Sequence, residues 1–258
     1  MILTGWHPNC FRLQLFIPVI PVTQSSSRFL NTVSMMPTLA NAAAQALQRR
    51  IVSGEYLQGA RLPPQRSLAI DLGISRTSLR EAISMLEALG LVHAHPGRGV
   101  YVTQRSTNDG SNVPKGPAGV SPESIFQLRY IFEPAAASLA AKRANSVDQL
   151  QETQDGLGNA LQKLDLVGAA EWDLEFHKRL AMLSGNPSLL EVVQQSQIKV
   201  GYSLRLPFAN TRRIWETFDE HGAIIKAIAD GDSDLARSAI QKHLLLAADR
   251  IGIRFEQP

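Results

Sequence analysis

The sequence predicts a mainly α-helical protein, an N-terminal winged helix-turn-helix followed by an all-helical bundle. Two patterns carry this. Within residues 62–102, two helix-length segments joined by a glycine turn precede two short β-type runs around a loop of turn residues. Beyond residue 121, six segments with apolar residues recurring at helical spacing follow one another without a convincing strand. A hydrophobic content of 44% over 258 residues supplies two ordinary cores, and 19% charged residues exclude a chain that is disordered throughout.

The first helix is expected over residues 38–53. Thr38 follows Pro37 as a cap, and Leu39, Ala43, Leu47 and Ile51 fall on one side to brace what comes next. The second helix opens at Pro64, where a missing N–H costs nothing, and stops at Gly73. Ile74 crosses the turn and Ser75 caps the third helix, whose Leu79, Ala82, Ile83, Leu86 and Leu89 share a core face. Arg76, Thr77, Arg80 and Ser84 fall roughly opposite. Runs at 91–94 and 100–103, joined by His95-Pro96-Gly97-Arg98-Gly99, read as a β-wing. Such a module sets its second helix in the major groove of DNA and lays the first across the backbone. Taken alone, Ser75-Arg76-Thr77-Ser78 reads equally well as a solvated face on a small helical core.

The order and spacing of LPPQRSLA, LGISRTSLREAI, LEALGLV and GRGVYV resemble the GntR family of bacterial transcription regulators. The resemblance implies that Arg66, Ser75, Arg76, Thr77, Ser78, Arg80, Gly97 and Arg98 meet DNA. Gln65 departs from the pattern, which has an acidic residue before the arginine. Charge agrees with this reading. Residues 37–104 hold seven arginines against four acids, whereas residues 105–258 hold 17 basic against 19 acidic groups. Positive charge therefore collects on the module expected to meet phosphates.

Domain boundaries follow from composition. Residues 1–36 read as a disordered extension or as a start assigned too far upstream of Met35 and Met36, and 37–104 as the DNA-binding domain. The Ser, Thr, Asn, Gly and Pro-rich stretch 105–120 is a linker, and 121–254 the helical domain. The apolar stretch 13–22 is too short to span a bilayer and is broken by Pro18 and Pro21. With Cys10 as the one cysteine, no intrachain disulfide forms, and a cytoplasmic setting without membrane attachment is expected. Helices are expected at 122–144, with a kink at Pro134, and at 147–164, 168–184, 187–204, 210–230 and 233–254.

The helical half carries a second constellation. Asp173 and His177 lie one turn apart on one face, a pairing that either holds a divalent cation or forms a simple ion pair. His221 and His243 lie on consecutive helices whose antiparallel packing can bring them together, although each alone suits a core position equally. The segments DLEFHKRL, SGNPSLL and EHGAIIKAIADGDSDLARSAIQKH resemble the FCD ligand-binding domain of the FadR-like branch of the same family. That resemblance implies that Asp173, His177, His221 and His243 coordinate a divalent metal ion. Three imidazoles and a carboxylate suit Zn, Ni, Fe or Mn without choosing among them. It also implies a small carboxylic-acid effector at the metal. Arg129 matches a recurrent arginine of the first FCD helix, and either holds that carboxylate or pairs with Glu133. Arg205, Arg212 and Arg213 read as solvent-facing.

The expected function is a DNA-binding transcription regulator, a repressor and homodimer on a double-stranded operator, whose grip is controlled by a carboxylate metabolite. Two alternatives stand beside it. A metal-dependent hydrolase would need a general base beside the ligands, and the sequence offers none. A metal-stabilised dimeric DNA binder would ignore small acids.

Overall fold

In the computed structural model, α1 (Leu39–Val52) opens where Thr38 Oγ1 accepts the Asn41 N–H at 3.1 Å. The structure describes residues 38–103 and 121–257. The extension at 1–36, Cys10 and the linker at 105–120 lie outside these residues. Of the expected stripe of α1, Ala43 and Leu47 are buried, together with Ala40 and Ala44, whereas Leu39 is 65% exposed and Ile51 half-buried. The run of alanines explains the rotation: Ala40, Ala43 and Ala44 let α1 press close to its neighbour beside Leu47, and Leu39 falls to the flank.

The helix α2 (Gln65–Asp71) starts one residue after Pro64, and Gly73 turns the chain with φ of 65°. Ser75 then caps α3 (Arg76–Ala88), its Oγ accepting the Ser78 N–H at 3.0 Å. Leu79, Ala82, Ile83, Leu86 and Leu89 are buried, as their spacing predicts, and α1 packs along this face. Strands β1 (Val92–His95) and β2 (Gly99–Val102) pair antiparallel from Val92 opposite Val102 to His95 opposite Gly99. The preceding segment adds to the wing. Leu62 N–H donates to Val100 O at 2.8 Å and Val102 N–H to Ala60 O at 2.9 Å, placing Arg61 opposite Tyr101.

Seven helices follow: α4 (Pro122–Arg143), α5 (Asp148–Gln162), α6 (Leu166–Leu183), α7 (Pro187–Gln195), α8 (Gln197–Arg205), α9 (Ile214–Ala229) and α10 (Ser233–Asp249). The stretch expected as one helix over 187–204 is two. Ser196, at φ −89° and ψ 0°, ends α7 and begins α8, and the chain then makes a 3-10 turn over Leu206–Ala209. The break rotates the apolar face: α7 buries Val193 alone, whereas α8 buries Val200, Tyr202 and Leu204. Pro134 does not interrupt α4. The bundle places α4 against α10 and α6, and α5 against α6 and α9. Gly156 permits one of these approaches, because a Cβ there would stand 2.3 Å from the Trp172 indole.

The described residues all belong to one compact unit, and its two halves share a core. Leu47, Leu79, Leu86 and Val92 cluster with Leu157, Leu161, Val167 and Phe208. Polar contacts stitch the same seam. The Gln48 side chain donates to Leu164 O at 2.6 Å and accepts the Val167 N–H at 3.1 Å, while Gln45 donates to Asp165 at 3.0 Å.

Candidate functional site

Four helices converge on a polar centre inside an otherwise apolar bundle. α6 supplies Asp173 and His177 from successive turns of one face, α9 supplies His221, α10 supplies His243 and α4 supplies Arg129 and Glu133. All six side chains are buried. One ligand atom from each of Asp173, His177, His221 and His243 lies within 4.8 Å of the others. His221 Nε2 stands 3.1 Å from Asp173 Oδ1 and His177 Nε2 3.7 Å from the same oxygen. Phe176 stacks on the His221 ring at 3.7 Å between centroids and fixes its plane.

Proximity here is not hydrogen bonding. Asp173 Oδ1, both nitrogens of His221 and His243 Nε2 are buried without a hydrogen-bond partner among the described residues. Leaving such atoms unpaired costs about 1–3 kcal/mol each, which folded proteins rarely tolerate in a cluster. Atoms that crowd together yet do not aim at one another are what a common central partner requires. Protonation states agree. Burial opposes charge on Asp173, but the surrounding imidazoles, His221 foremost, outweigh it and hold its carboxyl below the usual range. Burial pushes His221 down and pushes His243 down to about 4, against the pull of the neighbouring carboxylates. The centre therefore presents an ionised Asp173 carboxylate and neutral imidazoles at His221 and His243, the forms that ligate a cation. Its donors fit Zn, Ni, Fe or Mn better than Mg or Ca, which favour all-oxygen shells.

Arg129 lines one wall, completely buried. Its Nε donates to Glu133 Oε1 at 2.7 Å, its Nη1 lies 3.4 Å from Ser203 Oγ, and its Nη2 stands 3.0 Å from His177 Nε2. Burial opposes ionisation of Glu133, but Arg129 and then His177 outweigh it and keep the carboxyl well below the usual range. The ion pair read as one alternative for Arg129 is thus present within the bundle, beside the Asp173–histidine cluster.

The winged module shows a different electrostatic pattern. Three of its four acids are engaged elsewhere, Asp71 and Glu55 with Arg50, and Glu87 with His93 and the Ala94 N–H, leaving Glu81 exposed. Arg66, Arg76, Arg80 and Arg98 are exposed and form no ion pair among the described residues. Thr77 is exposed beside them, Gly97 takes φ of 73° at the wing tip, and Ser78 is half-buried against the Ser75 hydroxyl at 3.0 Å.

The GntR family of bacterial regulatory proteins matches residues 39–102 and the FCD domain matches residues 124–246. The regulator LutR of Bacillus subtilis (strain 168) is 30% identical over 221 residues, covering 80% of this chain and 98% of its own. This chain belongs to the GntR family. Other relatives include the Exu regulon transcriptional regulator of Escherichia coli (strain K12), 29% identical over 78% of this chain and 80% of its own. The transcriptional repressor NanR of Klebsiella aerogenes is 30% identical over 80% and 82%. A solved GntR structure from Rhodococcus sp. RHA1 shares the fold, with 22% identity, a TM-score of 0.50, and coverage of 84% of this chain and 100% of its own. The protein is accordingly a DNA-binding transcription regulator with an FCD effector domain, in a family of regulators rather than enzymes.

As in the sequence reading, the GntR module exposes the arginines of α3 and the wing, and the FCD domain gathers the four residues expected to hold a metal. One expectation is corrected. Arg205 is not solvent-facing, its side chain being 13% exposed and paired with Glu171 at 2.6 Å, while Arg212 is exposed and Arg213, a third exposed, pairs with Glu216 at 2.8 Å on the surface. The sequence reading also missed Arg61, an exposed cation without an ion partner, whose guanidinium crosses Gly99 where a Cβ would stand 2.6 Å from Nε. The absence of a side chain at Gly99, inside the wing pattern, is the signal that points to it. No helix among the described residues is long and apolar enough to cross a membrane.

Proposed function

We propose that the FCD domain holds a divalent cation, Zn, Ni, Fe or Mn, at Asp173, His177, His221 and His243. A small carboxylic acid binds there and controls operator binding. The observation that carries this reading is the set of buried, unpartnered atoms on Asp173, His221 and His243. Arg129 belongs to the same wall and, among the described residues, supplies the guanidinium hydrogen-bonded to the cluster, which suits it to a carboxylate. On the DNA side, Arg76 and Arg80 of α3 read base edges, with Thr77 and Ser78 beside them. Ser75 caps the helix, and Arg66, Gly97 and Arg98 position the backbone. A homodimer acting as a repressor in the cytoplasm is the simplest arrangement, since a two-fold dimer presents two recognition helices to a palindrome-like operator. NanR, a relative, is itself described as a repressor.

Elemental analysis of the purified chain, followed by a thermal-shift screen of small carboxylic acids on metal-loaded protein, tests the proposal. A ligand that favours the native state raises its apparent melting temperature. Protein that takes up none of the four metals after dialysis contradicts it. A second reading rests on the Arg129–Glu133 pair, which already occupies the guanidinium. In that case the cation is structural, and DNA binding is indifferent to every acid that binds.

A further inference from the structure

We infer that Glu220, clamped by Arg250, is a positioning residue that sets which nitrogen of His243 faces the cation. The inference rests on the proposed cation site and adds to it a second layer of residues.

His243 Nδ1 and Glu220 Oε2 are 2.8 Å apart with hydrogen-bond geometry. The other nitrogen, Nε2, is buried and unpartnered among the described residues. An ionised carboxylate only accepts, so the Nδ1 facing it carries the proton and Nε2 keeps its lone pair. Glu220 therefore selects the tautomer that ligation at Nε2 needs, with the ring oriented by the same bond.

Left to itself, a glutamate at the edge of a bundle turns toward water. Arg250 prevents this. Just past the end of α10 and almost wholly buried, it donates through Nη1 to Glu220 Oε1 at 2.7 Å and through Nη2 to Glu220 Oε2 at 3.0 Å. Thr217 Oγ1, 3.2 Å from Nη2, and Glu216 Oε2, 3.3 Å from Nη1, hold the guanidinium in turn. A two-pronged clamp of this kind fixes the carboxylate plane as well as its position. The three histidines are not equivalent in this respect. His177 Nδ1 has Glu133 Oε2 at 3.0 Å but without hydrogen-bond geometry, and His221 Nδ1 has no partner among the described residues. Of the three, His243 is the one whose carboxylate contact has hydrogen-bond geometry.

The test uses the full chain. Zinc affinity is measured by chelator competition for the native protein, Glu220→Gln, Arg250→Met and, as a control on an unrelated ion pair, Glu152→Gln. Loss of a partner of this type typically weakens binding by about 10- to 100-fold. That loss is expected for Glu220→Gln, a smaller one for Arg250→Met, and none for Glu152→Gln. In the zinc-loaded native protein, nitrogen-15 NMR of the histidines should show His243 bound through Nε2, with a protonated, hydrogen-bonded Nδ1. Native protein that binds zinc through His243 Nδ1, or equal affinity of native and Glu220→Gln proteins, overturns this inference while leaving the cation site standing. Failure of the native protein to bind zinc, nickel, iron or manganese overturns both. The native NMR result stands even if a variant does not fold.

Discussion

The side chain of Gln48, on a helix of the DNA-binding module, donates to the main-chain oxygen of Leu164 at 2.6 Å in the effector domain. Its amide oxygen accepts the Val167 N–H, so one residue satisfies both sides of the turn from which α6 starts. α6 then carries Asp173 and His177. The buried Asp173–histidine cluster and the DNA-binding module are thus joined by a single helix with a polar clamp at its root. Gln48→Ala leaves the buried Val167 N–H without its partner, and is expected to cost about 1–3 kcal/mol of folding stability. Urea denaturation of the full chain measures this, and an unchanged midpoint and slope would show that the seam contributes little.

Truncating the exposed arginines separates two kinds of DNA contact. Arg76→Ala and Arg80→Ala are each expected to cost about 1–3 kcal/mol of operator affinity while leaving non-specific binding nearly intact, if each reads a base edge. Arg61→Ala should instead weaken binding to all sequences alike and lower the salt slope by about 1, as loss of one phosphate contact does. Fluorescence anisotropy across a salt series distinguishes these outcomes. A sequence-dependent loss for Arg61→Ala would move it to the base-reading set.

Much of this was legible in the chain. The cap at Ser75, the core stripe of α3, the wing and the shared face of Asp173 and His177 follow from spacing that a helix or hairpin imposes locally, whereas the grouping of these two with His221 and His243 came from the resemblance to the FCD domain. What could not be read depends on contacts between distant segments. The rotation of α1 that exposes Leu39 is set by how closely an alanine face approaches α3. The division at Ser196 leaves no glycine or proline as a signal. Glu220 and Arg250 meet only because α9 and α10 pack side by side. Arg205 looked exposed because Glu171, its partner, lies on another helix.

Acid should destabilise the metal-free protein through the histidine cluster. Burial holds His243 near 4 in the folded state, below its ordinary value of 6.5, and lowers His221 in the same direction. The unfolded chain then binds more protons than the folded one between these values. Stability from these groups is complete above about 6.5 and is lost as pH falls toward 4. Asp173, whose carboxyl is also lowered, loses its contribution at still lower pH. Melting temperatures of metal-stripped native protein and His243→Ala across this range provide the check. The native protein should lose more on acidification, and parallel curves would remove His243 as the cause.

The last prediction joins the centre to the operator. Any acid bound at the FCD site can alter DNA binding only by favouring the DNA-competent or the incompetent arrangement of the chain. His243 is one of four residues converging from three helices, so His243→Ala should lower both metal content and melting temperature while the winged module still folds. Arg129→Gln keeps Asp173, His177, His221 and His243 and removes the guanidinium beside them, at the cost of the Glu133 ion pair. It is expected to retain metal, to bind operator, and to lose most of the response to the carboxylic acid found in a thermal-shift screen. Operator titrations with and without that acid, run on native, His243→Ala and Arg129→Gln proteins, decide between the two roles of the cation. A native response absent from both variants places the acid at the cation with Arg129 as its second anchor. A full response in His243→Ala protein shown to be metal-free would make the cation structural and move the acid elsewhere in the bundle.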